Sequence, residues 1–201
     1  SGVNRSTNRG KNWATSNTGI KTRVGRSGDA IPIFSLTIDP NNSNIVWTGT
    51  ASGTAGSYGL FKSTDGGTTW SDTSSSLGNI PSALSIRGFT VQSGNSNVVY
   101  AQSELTTDKQ GKEFNRTQGK IFRTKDGGKT WAEIYTPDSL SRHLRIHHTN
   151  PDILYVSTGI FDREAANSDC AVGKPGGVGI LKSTDGGQTW FAVNGSGADT
   201  I

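Results

Sequence analysis

Apolar and polar residues alternate in short runs along this chain, and the runs return in a fixed order. Ile33-Phe34-Ser35-Leu36-Thr37-Ile38 is followed by a polar stretch, Asp39-Pro40-Asn41-Asn42-Ser43-Asn44, and then by Ile45-Val46-Trp47-Thr48-Gly49-Thr50. Period-two runs separated by turn-forming residues predict two strands joined by a turn. The unit returns at residues 86–91 and 98–101, joined by Gly94-Asn95-Ser96-Asn97, and at residues 141–146 and 153–156, joined by Thr149-Asn150-Pro151-Asp152. A third strand is predicted in each unit at residues 59–62, 120–123 and 179–182, and a fourth starting at Trp70, Trp131 and Trp190. No stretch carries a convincing helical period. Leu36, Phe89 and Leu144 align between units, as do Ile38, Val91 and Ile146, which predicts core positions on the innermost strand, packed between neighbouring units.

Between the third and fourth strands stands a recurring segment. It reads Ser63-Thr64-Asp65-Gly66-Gly67-Thr68-Thr69-Trp70, then Thr124-Lys125-Asp126-Gly127-Gly128-Lys129-Thr130-Trp131, then Ser183-Thr184-Asp185-Gly186-Gly187-Gln188-Thr189-Trp190. An eroded copy, Ser6-Thr7-Asn8-Arg9-Gly10-Lys11-Asn12-Trp13, opens the chain. Copies start 57, 61 and 59 residues apart, a period that suits a unit of several strands. Glycine reaches positive φ without steric penalty and an Asp carboxylate accepts bonds from nearby N–H groups, so the segment reads as a hairpin staple. The hydroxyl adds a local bond, and the indole pins the turn against its own sheet. A calcium loop would want several oxygen ligands at alternate positions, so Asp65, Asp126 and Asp185 are expected to be structural, as are Trp70, Trp131 and Trp190.

The pattern S/T-x-D-G-G-x-T-W resembles the Asp-box, or BNR repeat, carried by sialidases, sortilin-type receptors, xyloglucan-cleaving glycoside hydrolases and propeller factors of photosystem II assembly. The period and the Asp-Gly-Gly-x-Thr-Trp form look most like the sortilin and xyloglucanase type. That resemblance implies β-propellers in which the box does not perform the chemistry. Four strands per repeat agree with it. The expected fold is therefore all-β, with propeller blades of four antiparallel strands, about three complete ones plus partial ones at both ends, forming an arc of a larger propeller. Residues 1–19 read as the end of a preceding blade, 20–78, 79–137 and 138–196 as blades, and 197–201 as the start of the next. Because a closed propeller has about four to eight blades, the chain is expected to be a piece of a longer one, its ring completed by its own remaining blades or by a second copy.

Composition changes this picture little. Only 31 % of residues are hydrophobic, which blades with thin cores and glycine-rich turns tolerate. The net charge of +4 is spread over 20 basic and 16 acidic residues without a Lys/Arg run, so no nucleic-acid partner is expected. No apolar stretch approaches membrane-spanning length. Cys170 is the single cysteine and has no partner for a disulfide within the sequence. Low Cys, absent Met and abundant Asn, Ser and Thr suit an extracellular or cell-surface protein, with sequons at Asn4, Asn41, Asn115 and Asn194. No cofactor and no metal are expected. The neighbours His147 and His148 would point to opposite faces of a strand and share an ion poorly.

Function is expected where length has been added. From the start of the second strand to the box the three blades count 18, 26 and 30 residues, so the elaborated face is the one opposite the boxes. Long loops on a rigid scaffold are where binding usually resides. The candidate binding residues are Glu104 and Asp108 in the second-blade insertion, Asp162, Arg163 and Glu164 in the third, and Asp29 on the first connection. A glycosidase would need two carboxylates facing across a sugar, and Glu104, Asp108, Asp162 and Glu164 have the residue type. The xyloglucanase resemblance would place a catalytic Asp in an early-blade motif, R-T-D-x-G-G, where this chain has Trp47-Thr48-Gly49-Thr50-Ala51-Ser52-Gly53, so no catalytic residue is carried over. Arg87 and Arg142 align, but Phe34 stands in the first repeat where a sialidase's third arginine would be wanted. The reading is a non-catalytic module binding a protein or polysaccharide partner through its long-loop face; the alternative is part of a xyloglucanase-like glycoside hydrolase using paired carboxylates.

Overall fold

The alternating runs pair as antiparallel strands. The computed structural model describes residues 2–20, 33–50, 59–77, 84–105, 119–135, 141–158 and 179–193, with Leu84, Glu104, Leu105 and Arg142 described in the backbone only. Among these residues the chain opens with two short paired strands, β1 (Asn4–Arg5) and β2 (Ala14–Thr15). Three four-stranded sheets follow, each a meander whose spatial order is its chain order. The first joins β3 (Ile33–Ile38), β4 (Val46–Thr50), β5 (Leu60–Ser63) and β6 (Ser71–Asp72). The second joins β7 (Leu84–Gln92), β8 (Asn95–Leu105), β9 (Gly119–Thr124) and β10 (Ala132–Tyr135). The third joins β11 (Ser141–Ile146), β12 (Leu154–Thr158), β13 (Ile180–Ser183) and β14 (Phe191–Ala192). Each fourth strand begins one residue after the box tryptophan rather than at it, because the indole closes the turn first.

These sheets are propeller blades. The apolar side chains meet in the seams between them, where one blade's outer face packs on the next blade's inner strands. In the first seam Trp47 and Leu60 of one blade meet Phe89, Val91, Phe122 and Trp131 of the next, all at most 9 % exposed. In the second seam Tyr100 and Ile121 meet Leu144, Val156 and Leu181. Fully burying a side chain of this size contributes about 1.5–3 kcal/mol, so each seam adds several such contributions to the array.

The expected core positions are buried in the second blade, buried at Leu144 but only partly buried at Ile146 in the third, and exposed in the first. Phe89, Val91 and Leu144 are at most 9 % exposed, whereas Leu36 is 49 % and Ile38 57 % exposed. This side of an inner strand is covered by the preceding blade's strands, and in the opening segment Val3 and Ile20, outside β1 and β2, join the cluster around Val46, Phe61 and Trp70 instead. At the other end Ile180 and Phe191, on the outer side of the third blade, are likewise exposed.

Each inner strand also carries a β-bulge at one repeat position, holding Phe34, Arg87 and Arg142 as the extra residue. A bulge re-aims its side chain. The Arg87 guanidinium accordingly lies over the Phe34 ring, 4.1 Å from its centroid, at the end of the inner strands away from the boxes.

Candidate functional site

The box turns are built from the carboxylate outward. Asp65 accepts bonds from the backbone N–H groups of Thr68 and Thr69, each at 2.9 Å, and from the Thr69 hydroxyl at 2.6 Å. Ser63 Oγ donates to the same carboxylate at 2.7 Å while accepting from Gly67 N–H at 2.8 Å. Asp126 and Asp185 repeat this with Thr130 and Thr189. The Thr hydroxyl, then the Thr backbone N–H, then the Ser or Thr at the start of the box hold each of the three carboxyl groups well below the usual carboxylate range. A carboxylate so engaged stays ionised and fixed, which suits an anchor and not a proton shuttle.

The opening copy shows which parts go together. Asn8 still accepts from the Asn12 N–H at 2.9 Å and from the Ser6 hydroxyl at 3.0 Å. Asn12 replaces the Thr that donates its hydroxyl in the other copies, so the amide and the loss of that donor occur together.

The indoles hold seams, not only their own sheets as the sequence suggested. Trp131 meets Trp47 of the preceding blade edge-on with centroids 5.7 Å apart, and Trp190 meets Tyr135 at 5.3 Å. Trp70 donates from Nε1 to the Ser16 carbonyl at 2.8 Å. The second glycine of the second box makes room for this. A Cβ on Gly128, whose φ is +92°, would lie 2.7 Å from the Trp47 ring.

Sequence reasoning missed a row of cations. The residue before each box is Arg5, Lys62, Arg123 or Lys182, and the first three reach the following blade's box. Arg5 donates to Thr68 Oγ1 at 3.1 Å, Lys62 to the Gly127 carbonyl at 2.8 Å and Arg123 to the Gly186 carbonyl at 2.6 Å. Burial pulls the Lys62 ammonium below its ordinary value, with Asp39 opposing it. The signal was available, since one position carries a cation in four of four copies.

Of the candidate binding residues, Asp29, Asp108, Asp162, Arg163 and Glu164 lie outside the described residues, as does Cys170. Glu104 is placed by backbone alone, opposite Ser85 and Gly119 in the register, where β8 runs out toward its long loop. His147 and His148 do not follow strand alternation. β11 ends at Ile146, both histidines belong to the turn, and their rings sit 4.8 Å apart. Among the described residues no group of three metal-binding side chains gathers, and no helix is long and apolar enough to cross a membrane.

The family model of Sortilin-Vps10, described as "Sortilin, neurotensin receptor 3,", matches residues 58–198. No curated protein matches the chain. Among solved structures, an ancestral GH74 enzyme is similar over 97 % of this chain and 21 % of its own, at 23 % identity and a TM-score of 0.62. The GH74 xyloglucanase from Xanthomonas campestris is similar over 94 % of this chain and 26 % of its own, at 18 % identity and a TM-score of 0.60. YCF48 from Cyanidioschyzon merolae is similar over 81 % of this chain and 39 % of its own, at 16 % identity and a TM-score of 0.52. The chain thus spans about a fifth to a quarter of the two GH74 proteins, and at these identities the likeness is one of fold.

Proposed function

This chain belongs to the Sortilin-Vps10 family, and from that premise we propose that it is a non-catalytic Asp-box propeller module, extracellular or on the cell surface, that holds a protein or polysaccharide partner on its long-loop face. One observation carries the reading. All three box carboxylates are saturated inside their own turns, so the repeated chemistry is scaffold, while the added length leaves from the opposite ends of β8 and β12. On that face Arg87 already lies over Phe34. Glu104, Asp108, Asp162, Arg163, Glu164 and Asp29 are the residues proposed to meet the partner, on blades bounded at residues 20–78, 79–137 and 138–196. A YCF48 structure holding a D1 peptide offers one precedent for a ligand on a similar fold, and the GH74 enzymes offer polysaccharide as another.

Screening the chain against immobilised glycans and peptides tests this. The triple variant D162N/R163Q/E164Q and the double variant E104Q/D108N should each lose the retained ligand while unfolding at the wild-type temperature. Release of reducing ends from xyloglucan, abolished by one of these carboxylate changes, would replace the binding reading with the glycoside hydrolase one.

A further inference from the structure

The strand register sorts the side chains of the third blade by face. Arg145, Tyr155, Lys182 and Phe191 are neighbours in one row across its four strands. Leu144, Val156 and Leu181 alternate with them and are buried in the second seam. The row therefore lies on the outer face, at the places held by Thr37, Trp47 and Lys62 on the first blade and by Thr90, Tyr100 and Arg123 on the second. Those two outer faces are each covered by the following blade. On the third blade Arg145, Phe191 and the nearby Val193 are exposed.

The opening strand pair carries the matching half of such a seam. Within the chain a box tryptophan meets an aromatic ring of the preceding blade, Trp131 on Trp47 and Trp190 on Tyr135. Trp13 closes its own turn as Trp190 does, each donating from Nε1 to the carbonyl of the second box glycine, Gly10 or Gly187, at 3.1 Å. Its ring is nevertheless 65 % exposed. Arg9 stands at the first glycine's position and keeps the left-handed backbone, with φ +59° against +70° at Gly127 and +69° at Gly186. The carbonyls of those two glycines are the ones that Lys62 and Arg123 bond across the seams. Lys182 lies over the Tyr155 ring at 5.6 Å as Lys62 lies over Trp47 at 5.1 Å, but among the described residues it has no box carbonyl to bond.

We propose that a second copy of this chain docks its opening strand pair on the outer face of the third blade, repeating the seam that the chain already makes between its own blades. Lys182 donates to the Arg9 carbonyl of the second copy, and Trp13 of the second copy covers Tyr155 and Phe191. Positive side chains in the box do not prevent such a bond, since Lys62 reaches Gly127 in a box that carries Lys125 and Lys129. An unrelated partner would need no left-handed Arg9 and no Trp13 already folded into its turn. The two surfaces differ, so the contact is heterologous and a pair of copies satisfies it twice by closing on itself. Each copy brings three four-stranded blades and one strand pair, so a closed pair stays within the range of about four to eight blades.

Sedimentation of the chain over a concentration series tests this. A reversible dimer should form. Per seam, W13A should weaken it on the order of thirtyfold or more, the loss of an aromatic anchor, and K182M about tenfold, the loss of a bond from a charged group. K182R should associate like wild type, because Arg123 fills the same position at the second seam. At dilution each variant should unfold at the wild-type temperature, which separates lost association from lost folding. A chain that stays monomeric throughout the series would overturn the proposal and leave this face to a different partner. A dimer that W13A or K182M leaves unchanged would overturn it as well, since another surface would then join the copies.

Discussion

At the scale of single residues, the informative contrast is between Asp126 and Asn8, because the two stand at one repeat position with different partners. The Asp126 carboxylate takes a hydroxyl from Thr130 at 2.6 Å, and Asn8 faces Asn12 with a backbone bond only. Replacing Asp126 with Asn removes a charge-assisted acceptor, and the Thr130 hydroxyl must then turn round to accept. D126N should therefore lower the urea midpoint followed by tryptophan fluorescence, while adding T130N should cost little more, since the double variant restores the pairing found at Asn8 and Asn12. A double-mutant cycle reads that coupling directly. Acid sensitivity follows from the same bonds. The folded carboxyl groups are held below their ordinary value of about 3.9, so their contribution is complete above that pH and is lost progressively as pH falls below it toward the folded value. The wild-type chain should lose stability along that limb, and D126N should lose it less steeply.

At the scale of elements, two glycines with similar backbones make opposite demands. Gly94 has φ +78° with nothing within 4 Å of an added Cβ, whereas Gly128 has φ +92° and would drive that Cβ into Trp47. G94A should cost about 1–2 kcal/mol, the strain of a left-handed alanine. G128A should cost that plus an overpacking penalty of about 1–3 kcal/mol, and W47A should cost about 3–5 kcal/mol. Denaturant midpoints at unchanged slope would rank the three. These elements were the legible part of the sequence. Period-two runs, Asp-Gly-Gly turns and a spacing near sixty residues located most of the blade strands to within a residue or two, because each is a local preference, but β8 runs from Asn95 to Leu105 where 98–101 was expected, taking in part of the expected turn. Whether Leu36 or Phe89 is buried was not legible, since both have the same local pattern and differ only in what lies beside them.

At the scale of the whole molecule, the array is held by contacts between successive blades, and the cation before each box is the polar half of that contact. Lys62 couples the first blade to the second and Arg123 the second to the third, through the carbonyls of Gly127 and Gly186. A repeat array coupled only to nearest neighbours responds locally when one coupling is cut. A bond made by a charged group is worth about 1.5–3 kcal/mol, so K62M should speed amide exchange about tenfold or more in the first box, residues 63–70, and the second, residues 124–131. Exchange at residues 183–190 should stay as it is. R123M should give the mirror result, sparing residues 63–70 and loosening the second and third boxes. Had the blades formed one cooperative unit, either substitution would raise exchange evenly through all three boxes. The two patterns therefore decide whether stability in this chain resides in its seams or in the arc as a whole.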